Sequence, residues 1–92
     1  MLTHIPKIIG GAKTLFIAKS DTGFDTVFRE GKEIVIACIA VCQYRPEEGF
    51  YLFGCDKDFN SYTDFFYDDL GEALEDATRI YKTDNIHWTQ IN

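Results

Sequence analysis

The stretch Ile-Val-Ile-Ala-Cys-Ile-Ala-Val-Cys-Gln-Tyr, residues 34–44, decides the fold that we predict. Ten of its eleven residues are apolar or aromatic, and five are β-branched. Branched side chains pack well on a pleated sheet and lose side-chain freedom in a helix, so the stretch favours a strand. Both alternating faces are apolar, which is typical of a strand in the middle of a sheet covered on both sides. A buried helix of three turns is the alternative reading.

Shorter strand-like segments surround this stretch. Turn residues such as Gly23, Gly31 and Gly49 separate them, and the segments cover residues 14–19, 24–29, 50–55, 61–67 and 86–91. Because the connections are short, we expect each strand to lie beside its predecessor in an antiparallel meander of five to six strands. The segment from Thr3 to Gly11 predicts a short helical turn that would shield part of one sheet face.

The period of the apolar pattern changes from 2 to 3.6 residues after Tyr67. One helical face collects Leu70, Ala73, Leu74, Ala77, Ile80 and Tyr81. Asp69 with Glu72 three residues later has the spacing of an N-terminal cap. The sequence therefore predicts a single α+β domain over residues 1–92, with one C-terminal amphipathic helix packed on one sheet face and a last short strand.

Charge is divided unevenly along the chain. The net charge is −6, but residues 1–45 carry +2 and residues 46–92 carry −8; within residues 46–76, Lys57 is the one base among ten acids. An acidic half argues against direct binding of nucleic acid or of an anionic membrane surface, since both need cationic contacts. We also find neither a signal peptide nor an apolar run of about 20 residues, and expect a cytoplasmic location. A well-solvated surface is the simplest alternative explanation of the acids.

We expect no cofactor and no metal. Cys38, Cys42 and Cys55 lie in apolar runs and are interpreted as reduced core residues; on a strand, Cys38 and Cys42 would stand about 13 Å apart, too far for one zinc ion. The pattern Asp56-x-Asp58-x-Asn60 resembles the start of a calcium loop but lacks the later glycine and glutamate, so we predict a polar turn.

Catalytic signatures are absent from the sequence, and we predict that the protein is not an enzyme. The alternative is a small enzyme or enzyme subunit in which His87 works with an aspartate, for which Asp64, Asp68 and Asp69 are the candidates.

Aromatic residues are concentrated in the second half of the chain. Eight of the fourteen fall within eighteen residues: Phe50, Tyr51, Phe53, Phe59, Tyr62, Phe65, Phe66 and Tyr67. One helix covers one face of a sheet, so aromatics of the fourth and fifth predicted strands would remain on the other face as a docking surface. A homodimer through this face, including Tyr51 and Phe53, is one expectation, and a self-associating structural domain is a further alternative.

Residues 51–77 carry a resemblance to a known class. The pieces are Tyr-Leu-Phe-Gly-Cys-Asp at 51–56, Thr-Asp at 63–64 and Asp-Asp-Leu-Gly-Glu-Ala-Leu-Glu-Asp-Ala at 68–77. This arrangement resembles small bacterial proteins of uncharacterised or immunity type; a strand followed by Leu-x-Glu-Ala also occurs in antitoxins of the HicB kind, whose longer pattern is missing here. The resemblance implies a toxin-neutralising role and transfers no site residue.

These observations favour a non-enzymatic cytoplasmic protein-binding domain. Such a domain fits an immunity protein whose acidic surface blocks a basic toxin, because aromatic side chains anchor a partner while carboxylates steer it. The residues that we predict to bind the basic protein partner are Glu47, Glu48, Asp56, Asp58, Tyr62, Asp64 and Tyr67.

Overall fold

A computed structural model of the chain describes residues 5–91. Its elements in chain order are β1 Ile8–Ile9, β2 Ala12–Lys19, β3 Asp25–Arg29, β4 Lys32–Ile36, β5 Cys38–Gln43, β6 Phe50–Cys55, β7 Ser61–Tyr67, α1 Leu70–Ile80 and β8 Thr89–Gln90. The predicted fold class is confirmed: an antiparallel sheet is combined with one C-terminal helix and a short last strand.

The main sheet has the strand order β1-β2-β5-β6-β7, and β8 also pairs with β2. Strands β5, β6 and β7 follow one another as predicted. The expectation that every strand lies beside its predecessor is wrong for β3 and β5, because β2 pairs with β5 and not with β3. Strands β3 and β4 leave the main sheet and form a separate two-stranded hairpin.

The stretch 34–44 is divided at Ala37 into β4 and β5. The Ala37 C=O accepts a hydrogen bond from Ser20 N–H at 2.9 Å, and its N–H donates to the Cys55 C=O at 2.9 Å. These bonds attach the chain to the ends of β2 and β6 at the residue where it leaves the hairpin. The prediction of a strand buried on both faces is therefore confirmed for β5, whereas Val35 in β4 is exposed.

One face of the main sheet is covered by α1 and by the β3–β4 hairpin. Its buried core consists of Ala18, Ile36, Ile39, Val41, Leu52, Ala73, Ala77 and Tyr81. The predicted cap is confirmed, since the Asp69 carboxylate accepts a hydrogen bond from Glu72 N–H at 3.1 Å. This cap satisfies one of the free donors at the start of the helix.

Most of the buried side chains on the opposite face are small, and we call it the small-residue face. The buried core there contains Ile9, Ala12, Ile17, Cys38, Ala40, Cys42, Phe53 and Cys55, and Ile5 and Ile91 pack against it. The predicted shielding by the N-terminal segment is found, but its form differs: residues 8–9 are strand β1, turned back onto β2 by Gly10 and Gly11 with φ of 57° and 84°. Thr3, the predicted helix cap, lies outside the described residues.

Candidate protein-binding surface

A cleft opens where the β3–β4 hairpin separates from the main sheet. Its volume is about 490 Å³, and it lies between the hairpin and the β6–β7 loop. We call it the acidic cleft; its lining residues are Asp21, Glu33, Ile34, Val35, Ala37, Asp56, Lys57, Asp58 and Tyr62. Four carboxylates thus surround one ammonium group, and the floor near Ala37 is apolar.

Asp56 organises the loop that forms one wall of the acidic cleft. Its Oδ1 accepts hydrogen bonds from the N–H groups of Asp58 at 2.9 Å and Asn60 at 3.0 Å. Its Oδ2 accepts from Asn60 Nδ2 at 3.1 Å and from the Tyr62 hydroxyl at 3.4 Å. This is the geometry of a polar Asx-type turn, as predicted for residues 56–60.

The same hydrogen bonds decide the ionisation of Asp56. Partial burial alone would raise the pKa of this carboxyl, but the donors of Asn60, Asp58 and Tyr62 outweigh it, so the pKa lies below its ordinary value. Asp56 is therefore ionised at neutral pH, and its oxygens are already occupied by the loop. Asp56 therefore fixes the shape of the wall. The other carboxylates of the acidic cleft accept no such hydrogen bonds from the described residues and remain free to contact a ligand.

The carboxylates of Asp21, Glu33 and Asp58 are the ones available to a partner. All three residues are exposed, and none of them forms an ion pair with another residue of the range 5–91. Exposed charges that are not neutralised locally create a negative potential at the mouth of the acidic cleft.

Tyr62 connects the two walls of the acidic cleft. Its hydroxyl donates to Asp56 in the loop, and its backbone C=O accepts a hydrogen bond from Arg29 Nη2 of the hairpin at 2.8 Å. The hydrogen bond from Arg29 to Tyr62 fixes the position of the hairpin relative to β7.

The other predicted binding residues lie elsewhere. Glu47 and Glu48 are exposed in the β5–β6 loop, at the opposite end of β6 from Asp56, and Glu48 Oε2 lies 3.8 Å from Arg45 Nη1. Asp64 is exposed near the middle of β7, opposite Phe53. The structure therefore brings together Asp56, Asp58 and Tyr62 of the seven predicted residues.

Tyr67 is occupied within the protein. Its hydroxyl donates to Asp76 in α1, and Arg79 donates to both oxygens of Asp76 at 2.6 and 2.9 Å. Burial and the bond to Asp76 raise the pKa of the Tyr67 phenol, while Arg79 and then Tyr67 lower the pKa of the Asp76 carboxyl. This group joins the helix to β7.

Asp21 and Glu33 of the acidic cleft were missed by the sequence prediction. They lie before β3 and within β4, more than twenty residues away from the β6–β7 loop. Each is a single acid in a turn or an edge strand, a position in which acids are common. No feature of the sequence indicates that they lie close to Asp56. They do so because the β3–β4 hairpin leaves the main sheet at this point.

Aromatic side chains form a row on the small-residue face. Tyr44 and Tyr51 are 5.2 Å apart between ring centroids, as are Tyr51 and Phe66. Tyr44 and Phe66 are about half exposed, whereas Phe53 is buried and belongs to the core. The homodimer through this face remains a prediction, but Phe53 is not available for such a contact.

His87 and the three cysteines differ in their surroundings, since His87 is exposed and the thiols are buried. His87 is exposed, and no hydrogen bond or ion pair joins it to another described residue. Burial raises the pKa of the Cys38 and Cys42 thiols to about 12, which keeps them protonated. Over residues 5–91 no group of three or more His, Cys, Asp or Glu side chains is placed to hold a metal ion. No helix among these residues is long and apolar enough to cross a membrane.

Comparisons of the chain with protein-family models, with curated proteins and with solved structures found no match. The resemblance of residues 51–77 to immunity-type proteins therefore stays a prediction. The functional argument rests on the geometry of this chain.

Proposed function

We propose that this protein is a binding domain that docks a basic protein at the acidic cleft. The observation that carries the proposal is the placement of four carboxylates and one ammonium group around a cavity with an apolar floor. Carboxylates attract and orient a basic surface, and apolar walls supply the area that a bound side chain buries.

The outer face of the hairpin extends this surface. Phe28 is 67% exposed and Val35 is 46% exposed. Thr26 pairs with Val35 and Phe28 pairs with Glu33, so these side chains share the hairpin face that points away from the core. An aromatic residue beside a carboxylate is a common pattern at protein interfaces, because the ring gives contact area and the charge gives orientation.

The class of partner follows from charge and from the resemblance described above. A basic toxin, such as a nuclease, has a cationic substrate surface that carboxylates can occupy in place of phosphate groups. On this proposal the protein is a cytoplasmic, non-enzymatic inhibitor of the immunity type. Its contact with the toxin is made through the acidic cleft and the exposed side of the hairpin.

A titration with a tetra-arginine peptide, followed by amide chemical shifts, tests the docking site. We expect the largest shifts around the acidic cleft and an affinity that falls as salt rises, since exposed charges are screened over about 8–10 Å. Asp21→Asn combined with Glu33→Gln should weaken binding by about threefold or more, because each exposed ion pair contributes a fraction of a kcal/mol.

The matched control is Glu72→Gln combined with Glu75→Gln. This variant has the same change in net charge, and both residues are exposed on α1, outside the acidic cleft. We expect it to bind the peptide as the unmodified protein does. Equal losses in the two double variants would mean that the peptide responds to net charge alone, and the proposed docking site would be wrong.

A further inference from the structure

Strand β7 is the last strand of the main sheet on its side. Within residues 5–91 no other strand pairs with its outer edge. An unpaired edge presents backbone N–H and C=O groups that can add a further strand. The question is which groups of β7 point outward and which partner they fit.

The hydrogen bonds of the neighbouring strand identify the outward groups. The Cys55 C=O accepts from Ala37 N–H and so points towards β5. Since backbone groups alternate along a strand, those of Gly54 and Leu52 point towards β7 and bond to their register partners Thr63 and Phe65. The backbone groups of the intervening residues, Asp64 and Phe66, therefore point away from the sheet.

A second contact shows where the open part of the edge begins. The Tyr62 C=O accepts a hydrogen bond from Arg29, a residue outside the main sheet, so it also points outward. Arg29 occupies the edge at Tyr62, and the open part of the edge begins at Asp64. The register of β6 and β7 shifts between Thr63 and Ser61, so this contact places the Tyr62 C=O alone, and the outward positions of Asp64 and Phe66 follow from the alternation along β6.

The side chains along the open edge select a partner by charge and shape. Asp64 lies on the same sheet face as Tyr51 and Phe66, whereas Phe65 projects from the other face. Phe66 is 51% exposed and Phe65 is 41% exposed. A negative charge in the middle of an edge strand opposes pairing with a second copy of this acidic chain, whose net charge is −6.

We propose that the edge of β7 accepts an extended segment of a basic protein as a further strand of the sheet. A lysine or arginine of the segment lies beside Asp64, and the apolar side chain that follows it points to the other face and packs on Phe65. The inference deepens the proposed function, on which it rests for the charge of the partner. The two surfaces are continuous, because Tyr62 lines the acidic cleft and lies only four residues, about 13 Å, from Phe66.

The test uses an acetylated hexapeptide of alternating lysine and valine. We expect saturable binding that slows hydrogen exchange at the Asp64 and Phe66 amides, because these two N–H groups gain acceptors. The control peptide has the same side chains and charge but a methyl group on every backbone nitrogen, so it has no N–H to donate. It should bind more weakly by about fivefold for each lost hydrogen bond.

Asp64→Asn tests the charge at the edge. It should weaken binding of the hexapeptide by up to about fivefold, while Glu75→Gln, the same charge change on α1, should leave the affinity unchanged. Absence of saturable protection at Asp64 and Phe66, or equal binding of the methylated peptide, would overturn the inference. Protection that appears without peptide as protein concentration rises would identify a second copy as the occupant and would also overturn it.

The two proposals fail separately. If Asp21→Asn with Glu33→Gln weakens binding of tetra-arginine while no peptide protects the β7 amides, the acidic cleft remains the docking site and the added strand is wrong. If the lysine–valine hexapeptide protects the β7 amides while that double variant still binds tetra-arginine normally, the added strand stands and the docking site is wrong.

Discussion

The two edges of the main sheet differ in whether further strands pair with them. On the β2 edge, β1 and β8 both pair with β2; Thr14 N–H donates to the Lys7 C=O at 2.8 Å, and Ile91 N–H donates to the Leu15 C=O at 2.7 Å. On the β7 edge, Arg29 bonds to Tyr62 at one end, and within residues 5–91 no strand covers the remainder.

This difference separates an edge closed by the chain itself from an edge that leaves backbone groups unpaired among residues 5–91. The β2 edge is closed by segments near the two ends of the chain, anchored through the apolar residues Ile9 and Ile91. The β7 edge carries Asp64, and a charge on an exposed strand opposes unspecific association. On our proposal, an edge that is open and acidic would favour extended chains that bring a positive charge.

The largest change in stability is expected from a substitution that loosens β1 from the β2 edge. Ile9→Ala should lower the free energy of unfolding by about 2–4 kcal/mol, because Ile9 is buried against the small-residue core and its loss leaves a cavity. Ile8→Ala is the matched control in the same two-residue strand; Ile8 is 58% exposed, and its change should stay within about 0.5 kcal/mol. Urea unfolding followed by circular dichroism measures both.

Equal effects of these two variants would contradict the account of the closed edge. They would mean that β1 is not anchored through Ile9. Loss of stability in Ile9→Ala should also be accompanied by faster exchange of the Thr14 amide, because its acceptor at Lys7 is held in place by β1.

A smaller change in stability is expected from a substitution of Asp56 in the β6–β7 loop. The pKa of Asp56 is lowered in the folded protein, so its stabilising contribution is complete above the unfolded value of about 3.9 and is lost as pH falls through the lower folded value. Asp56→Asn should therefore flatten part of the decline of stability below about pH 4. The urea midpoint as a function of pH gives the comparison.

Asp58→Asn is the control for this pH dependence. The Asp58 side chain accepts no hydrogen bond from the described residues, although its N–H donates to Asp56. Its replacement should leave the acid profile of the unmodified protein in place. A profile that responds to Asp58→Asn as strongly as to Asp56→Asn would show that overall charge, and not the Asp56 turn, sets the acid stability.

The elements that depend on local pattern were predictable from the sequence. Strands β6 and β7 have the predicted bounds, and α1 begins after its Asp69 cap, because alternation, helical period and capping are properties of neighbouring residues. The departure of the β3–β4 hairpin was not predictable. It depends on the bonds of Ala37 to Ser20 and Cys55, residues that are distant in sequence.

The residues of the candidate site were likewise predictable only in part. Asp56, Asp58 and Tyr62 could be selected because they belong to one turn and the strand that follows it. Asp21 and Glu33 could not be added without knowing that the hairpin folds towards that turn. The bond between the Tyr67 hydroxyl and Asp76 could not be predicted, because the packing angle of α1 is not a property of the local sequence.

Hydrogen exchange of the free protein measures the difference between the two edges most directly. In dilute solution at neutral pH, we predict that the amides of Asp64 and Phe66 exchange close to the rate of an unstructured chain, while the Thr14 amide exchanges orders of magnitude more slowly. Thr63 and Phe65, between which Asp64 lies, should be protected because their N–H groups bond to β6. Protection of Asp64 and Phe66 equal to that of Thr14, at every protein concentration, would show that the β7 edge is closed and would contradict the account.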